Sequence, residues 1–157
     1  MRRSVVAALV AAVGLLAAGC AQPPAVAATQ QLGSPGSTTI VLVDRGFDAH
    51  ARATFSAFLH ARPGYVRWGA GDPATIATSV KQGDEADAVI IRSGPQLDRI
   101  RDEFVLPPEQ IGQIGGVTYW VGGLDGRGWA LLTYLTGIPG RRTLRTQGVT
   151  LPPPLPS

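Results

Sequence analysis

The chain has 157 residues, a formal net charge of +3, one cysteine and two histidines. Its length suffices for one domain with a sizeable core. The small basic excess comes without basic runs, which argues against nucleic acid as a partner. One cysteine excludes an internal disulfide, and no Cys/His cluster has the spacing of a zinc site, so we expect no metal and no other cofactor.

The N-terminus begins with a charged segment followed by an apolar one. Arg2 and Arg3 precede the uncharged apolar residues 4–18, and small residues lead up to Cys20. This order is typical of a secretory signal peptide, which we predict over residues 1–19. The apolar run of about 15 residues is shorter than the roughly 20 that cross a bilayer, which argues against an uncleaved anchor.

Residues 17–20 (AAGC) resemble the lipobox of bacterial lipoproteins. In that family the chain is cut just before the cysteine, and a diacylglyceryl group is attached to the cysteine sulfur. The usual leucine three positions earlier is replaced here by Ala17, with Leu16 beside it. A plain signal peptide would instead leave Cys20 as a free thiol. The resemblance implies that lipidated Cys20 anchors the protein to the extracytoplasmic face of the bacterial cell membrane.

The remaining chain divides by composition into three parts. Residues 20–37 are uncharged and rich in Pro, Ala, Gln, Gly and Ser, which predicts a flexible linker. Residues 38–150 carry the apolar segments and form the predicted domain. Residues 151–157 read LPPPLPS and are expected to be an extended Pro-rich tail.

The first half of the domain alternates between short apolar runs and helical periodicity. Asp72 and Pro73 suit the start of a helix, and Gly83 suits its end. The predicted elements are a strand at 38–43, a helix at 47–61, a strand at 65–68, a turn at 69–73 and a helix ending at 83.

The second half continues the alternation but is less regular over residues 104–116. The predicted elements are strands at 86–91 and 117–121, helices at 95–101, 129–136 and 140–146, and a strand-like stretch at 148–150. Strands that alternate with helices at this spacing predict an α/β fold with a mostly parallel sheet flanked by helices.

Several of these stretches, in their order along the chain, resemble the molybdate-binding proteins of ABC importers. The N-terminal lobe of that family is similar to residues 62–66, 76–83, 86–91 and 96–100, and its closing part to 119–124, 129–135 and 140–152. The resemblance implies a three-layer, type II periplasmic-binding-protein-like fold. Family members insert a second lobe where this chain has only residues 101–118, so we expect a single lobe.

The candidate ligand-binding residues lie where the three successive strands end, which is where α/β folds bind ligands. In the resembling family, serines near these turns contact the anion, but this chain has no serine in the first two turns. The candidates are Asp44, Arg45, Gly46, Gly71, Asp72 and Ser93.

The resemblance implies a membrane-anchored lipoprotein that acts as the substrate-binding component of a molybdate- or oxyanion-type ABC importer. Its partners would be a small anion or other solute, or an ABC permease. The alternative is a non-transport interaction module of the cell envelope that has lost oxyanion binding and contacts another envelope protein. The apolar face that a missing lobe leaves open also suggests a homodimer. No catalytic constellation is evident, so we expect no enzymatic activity.

Overall fold

A six-stranded mixed sheet forms the middle layer of the domain in the computed structural model, which describes residues 24–153. The predicted signal peptide and Cys20 lie outside the described residues. The strands are β1 (Gln30–Gly33), β2 (Thr38–Asp44), β3 (Tyr65–Gly71), β4 (Ala88–Arg92), β5 (Glu109–Ile114) and β6 (Val117–Gly123), in the spatial order β1-β3-β2-β4-β6-β5.

Five α-helices cover the two faces of the sheet. They are α1 (Asp48–Ala61), α2 (Pro73–Gln82), α3 (Pro95–Ile100), α4 (Gly126–Thr136) and α5 (Ile138–Thr146). Helices α1, α4 and α5 pack on one face, and α2 and α3 pack on the other. The predicted α/β class with helical layers around a sheet is therefore confirmed. Within residues 24–153, none of the helices combines the length and apolarity that a bilayer crossing requires.

Alternation along the central strand separates two hydrophobic cores. Val41 and Val43 of β2 face the core under α1, α4 and α5, whereas Leu42 faces the core under α2 and α3. Successive side chains of a strand point to opposite faces, so a continuous apolar strand serves both cores. In the first core, Phe55 meets Trp68 edge-on with ring centroids 5.2 Å apart.

The prediction of a mostly parallel sheet is wrong. Only β2–β3 and β2–β4 pair in parallel, whereas β1–β3, β4–β6 and β5–β6 are antiparallel. The antiparallel pairs arise because β5 and β6 form a hairpin, which places β6 against β4 in the reverse direction. The chain also enters the sheet through β1, which lies along the free side of β3.

The linker predicted over residues 20–37 is wrong for most of its described part. Val26 is buried in the second core, and its N–H donates to Ser79 Oγ at 3.0 Å. The N–H of Ala25 donates to the Asp84 carboxylate at 3.1 Å. Residues 30–33 form β1, so the ordered domain begins well before residue 38. The uncharged composition of this segment predicted flexibility, but its small residues also allow the segment to pack closely against the sheet.

The predicted Pro-rich tail also starts within the domain. Thr150 forms a bridge with Gln113 of β5, and Leu151 packs against the first core. The Arg141 guanidinium donates to the Pro152 carbonyl at 2.7 Å. The chain is therefore fixed to the domain as far as Pro152.

The three parallel strands give the sheet two distinct edges, which position the candidate sites. We call the edge at Thr38, Tyr65 and Ala88, where β2, β3 and β4 begin, the amino edge. The edge at Asp44 and Arg92, where β2 and β4 end, is the carboxyl edge.

Gly128 in the first turn of α4 is predicted to be essential for packing at the amino edge. A Cβ there would collide with the Asp87 carbonyl oxygen, which belongs to rigid backbone. We expect Gly128→Ala to lower the free energy of unfolding by more than about 2 kcal/mol, measured by urea denaturation. Gly126→Ala is the matched control because a Cβ there meets nothing within 4 Å, and it should change stability little. Equal effects of the two substitutions would contradict this prediction.

Candidate functional site

The carboxyl edge brings together five of the six predicted ligand-binding residues. Asp44 and Gly71 are paired in register across β2 and β3. The N–H of Arg45 donates to the Gly71 carbonyl at 2.9 Å, and the N–H of Gly46 donates to Asp44 Oδ1 at 2.9 Å. Arg45 Nε lies 3.4 Å from Asp72 Oδ1. The rule that places sites at strand ends therefore located a genuine cluster of polar groups.

Ser93 lies at the same edge, but its hydrogen-bond partners are residues of β6. Its Oγ accepts a hydrogen bond from Trp120 Nε1 at 2.8 Å, and its N–H donates to the Thr118 carbonyl at 2.9 Å. The Ser93 hydroxyl thus positions an indole ring, and no described contact joins it to the other five residues.

Arg92, which the sequence analysis did not identify, is the main partner of Asp44. The fully buried Asp44 carboxylate accepts from Arg92 Nε at 2.7 Å and from Nη2 at 2.6 Å. The backbone N–H of Arg92 donates to the same carboxylate at 3.2 Å. This two-point ion pair joins the ends of β2 and β4. The only signal in the sequence was an arginine directly after the apolar run AVII.

Formation of the ion pair changes the pKa values of both of its members. Burial acts to raise the pKa of Asp44, but hydrogen bonds from the Arg92 guanidinium and the N–H groups of Gly46 and Arg92 outweigh it, so the pKa is lowered. Hydrogen bonding to Asp44 raises the pKa of Arg92. Both groups are therefore charged over the whole physiological pH range.

Tyr119 of β6 completes the wall of this cluster. Its hydroxyl occupies the space that a Cβ on Gly46 would need, so glycine is required at position 46. Burial, and secondly the charge of Asp44, raises the pKa of the Tyr119 phenol. Its ring packs against Phe47 with centroids 5.7 Å apart. The carboxyl edge is thus closed by side chains that contact one another.

A second polar cluster lies at the amino edge. The Asp87 carboxylate accepts from the N–H of Ile40 at 2.6 Å. Asp125 caps α4 by accepting from the N–H groups of Arg127 and Gly128, each at 2.9 Å. Burial, and secondly hydrogen bonding with the neighbouring Asp125 carboxyl group, raises the pKa of Asp87 to about 6. Burial acts to raise the pKa of Asp125, but hydrogen bonding with Asp87 and with the N–H groups of Gly128 and Arg127 outweighs it, so the pKa is lowered.

Beside this cluster a cleft of about 530 Å³ opens between the C-terminal end of α1 and the start of α4. Its two charged lining residues are Arg62 and Arg127, and Ser37, Thr39 and Tyr65 contribute hydroxyl groups. Sequence reasoning missed this cleft because its residues come from three separate segments of the chain, 37–39, 58–65 and 126–130. A neighbouring cleft of about 430 Å³ shares Arg62 and Ala130 and is lined by Trp129.

Comparison of the chain with family models, curated proteins and solved structures finds no match. The structure itself defines an α/β domain with a mixed sheet between two helical layers. Among residues 24–153, no group of three or more His, Cys, Asp or Glu side chains is arranged to hold a metal ion.

Removal of Arg92 is expected to be costly because it leaves the buried Asp44 charge without its cation. We expect Arg92→Gln to lower the free energy of unfolding at neutral pH by about 2–3 kcal/mol, measured by urea denaturation. We place the loss below the usual range for buried pairs because the Arg92 side chain is 39% exposed. The double variant Asp44→Asn/Arg92→Gln should recover part of the loss.

Arg45→Gln is the matched control for Arg92→Gln. The Arg45 and Asp72 side chains are 69% and 68% exposed. Breaking this pair should cost no more than about 0.5 kcal/mol. Equal destabilisation by the two substitutions would show that the Asp44–Arg92 pair does not hold the carboxyl edge together.

The Asp87–Asp125 pair predicts an unusual dependence of stability on pH. Because the pKa of Asp87 is raised from 3.8 to about 6, the folded state retains a proton that the unfolded state releases. The free energy of unfolding should therefore fall as pH rises from about 4 to about 6. Asp87→Asn should remove this decline and make the protein more stable than the parent at neutral pH, measured by thermal unfolding across this range.

Glu85→Gln controls for the general effect of removing one acidic group from the same loop. Glu85 is exposed. This variant should retain the decline, and loss of the decline in both variants would contradict the assignment to Asp87.

Proposed function

We propose that the protein is a lipid-anchored, extracytoplasmic interaction module of the bacterial cell envelope that has lost oxyanion binding. The observation that carries this proposal is the closure of the carboxyl edge by the Asp44–Arg92 ion pair. An oxyanion at that edge would have to displace a buried carboxylate from its guanidinium partner. Such an exchange removes one anion from Arg92 in order to admit another.

Two further donors at the carboxyl edge, Arg45 and the N–H of Gly46, are also paired with acidic groups. A helix N-terminus binds anions through free N–H groups and its dipole. Here Asp72 precedes α2, and Pro73 at its first position has no N–H. Arg45 lies against Asp72, and the N–H of Gly46 donates to Asp44. Carboxylates therefore pair with Arg45 and with the N–H of Gly46, and Asp72 places negative charge at the start of α2.

The segment between α3 and β6 also favours an interaction module over an importer component. Solute capture in the resembling family takes place between two lobes. Residues 101–103 form a single 3₁₀ turn here, and residues 109–114 form β5, which pairs directly with β6. This short connection supplies a sheet strand rather than a second lobe that could enclose a solute.

Lipid anchoring at Cys20 supplies the location of the proposed module. The charged start, the apolar segment and the small residues before Cys20 support processing and lipidation. A module at the membrane surface needs an exposed binding surface, and the open clefts between α1 and α4 provide one.

Two measurements test the proposal. Molybdate, tungstate and sulfate at millimolar concentration should leave the thermal unfolding temperature unchanged, because Arg92, Arg45 and the N–H of Gly46 already have carboxylate partners and Asp72 places a negative charge at the start of α2. In cells, Cys20→Ala should abolish incorporation of labelled fatty acid and release the protein from the membrane fraction.

Each measurement can contradict its half of the proposal. Stabilisation by molybdate that disappears in Arg92→Gln would restore the importer interpretation. An acylated protein that persists after Cys20→Ala would exclude Cys20 as the anchor. Ser93→Ala is a suitable control for the anion measurement, since the Ser93 hydroxyl is bound to Trp120.

A further inference from the structure

We propose that the Arg62–Arg127 cleft at the amino edge binds the phosphate headgroup of an anionic phospholipid, and that this edge faces the membrane. The inference rests on the proposed function because it uses the lipid anchor to orient the domain. It adds a ligand class and a binding site that the anchor alone does not specify.

The anchor is separated from the domain by a very short segment. Cys20 and Pro24 are four positions apart, which spans at most about 14 Å of extended chain. Pro24 lies beside Ile40, Asp84 and Glu85, at the side of the domain where β2 and β4 begin. Ala25 and Val26 are already bound to the domain. A lipid on Cys20 therefore holds the side of the domain where Pro24 lies near the bilayer surface.

The cleft at this edge carries positive charge without matching negative charge. Arg62 forms no ion pair with any residue among 24–153, and Arg127 has only the Asp87 carboxylate, at 3.9 Å. Both arginines line the cleft, and no acidic residue is among its lining residues. Guanidinium groups bind phosphate oxygens through paired, charge-assisted hydrogen bonds. A phosphate is therefore a suitable ligand for the two arginines together.

The rest of the cleft suits a headgroup joined to an apolar body. Hydroxyl groups from Ser37, Thr39 and Tyr65 can bind the hydroxyls and ester oxygens of a glycerol group. Phe58 and Leu59 add apolar surface beside them. A free inorganic anion would leave this apolar wall unused.

Exposed apolar side chains also lie toward the amino edge of the sheet. Trp129 is 49% exposed and shares the neighbouring cleft with Arg62. Val105 and Leu106 are 61% and 47% exposed, and the N–H of Val105 donates to Gly123 where β6 ends at the amino edge. Tryptophan favours the interface between headgroups and acyl chains. Trp129 can therefore insert there when Arg62, which lines the same neighbouring cleft, contacts a phosphate.

Because acidic residues also lie at this edge, only the Arg62–Arg127 cleft, and not the edge as a whole, attracts anionic headgroups. Asp84 and Glu85 lie with Pro24 on the α2 side of the sheet, on the opposite face from the cleft between α1 and α4. Asp87 is buried and lies 3.9 Å from the Arg127 guanidinium, and Asp125 accepts from the N–H groups of Arg127 and Gly128. The edge as a whole is therefore not a basic surface, and binding depends on the two arginines of the cleft.

Vesicle co-sedimentation of a chain that begins at Ala21 tests the inference. Both hydrophobic cores are built from residue 26 onward, so this chain keeps the described packing, and it lacks both the apolar leader and Cys20. It should sediment with vesicles of equal parts phosphatidylglycerol and phosphatidylcholine, and not with phosphatidylcholine alone. Arg62→Gln/Arg127→Gln should weaken binding by about 25-fold, roughly five-fold for each arginine.

Arg45→Gln/Arg52→Gln is the matched control, because it removes the same charge from exposed residues outside the cleft. Equal loss of binding in the two double variants, or equal sedimentation with both kinds of vesicle, would overturn the inference. Stabilisation of the parent by millimolar inorganic phosphate, without vesicle binding, would assign the cleft to a free anion and also overturn it. Because this chain lacks Cys20, its result is independent of whether the cellular protein is acylated.

Discussion

The carboxylate of Asp44 is the constraint on which the carboxyl edge depends. It lies at the end of the central strand and is fully buried, and an ionised carboxyl group in such a place is very costly unless it is paired. Arg92 pairs with it through two atoms, and the N–H groups of Gly46 and Arg92 satisfy further lone pairs. The same need for a close approach explains why position 46 has no side chain and why Tyr119 closes over it. One buried charge thus accounts for the position of its neighbours.

Local sequence patterns predicted those elements whose stability is largely local. The run TTIVLV is β-branched and serves both cores, so its strand was evident, and Pro73 and Gly83 correctly marked the two ends of α2. Strands β1 and β5 were missed because QQLG and EQIGQI are polar and low in β-branched residues. They are strands because neighbouring strands offer them hydrogen bonds, and that information is not local.

The sequence indicated where the candidate residues lie, but it did not indicate how their charges are paired. The rule for strand ends chose Asp44, Arg45, Gly46, Gly71 and Asp72, and the structure places these five residues close together. It could not show that Arg92, 48 positions from Asp44, would satisfy that carboxylate. Pairing among distant residues is decided by the mixed sheet, whose hairpin places Tyr119 beside β4. The Arg62–Arg127 cleft escaped prediction for the same reason, since its lining comes from α1, α4 and the starts of β2 and β3.

The two edges of the sheet differ in whether their arginines already have acidic partners, and this difference favours the amino edge as the place where an anion binds. At the carboxyl edge, each described arginine faces an aspartate, so a ligand would have to compete with an existing partner. At the amino edge, Asp125 turns its oxygens toward the N–H groups of α4 and toward Asp87, which leaves the Arg127 guanidinium mostly to solvent. Capping the helix with a carboxylate therefore removes the helix N-terminus as an anion site and makes the side chains of Arg62 and Arg127 the available donors. Guanidinium groups on flexible stems tolerate a mobile and variable partner better than fixed N–H groups do, and a fluid bilayer surface presents headgroups of that kind.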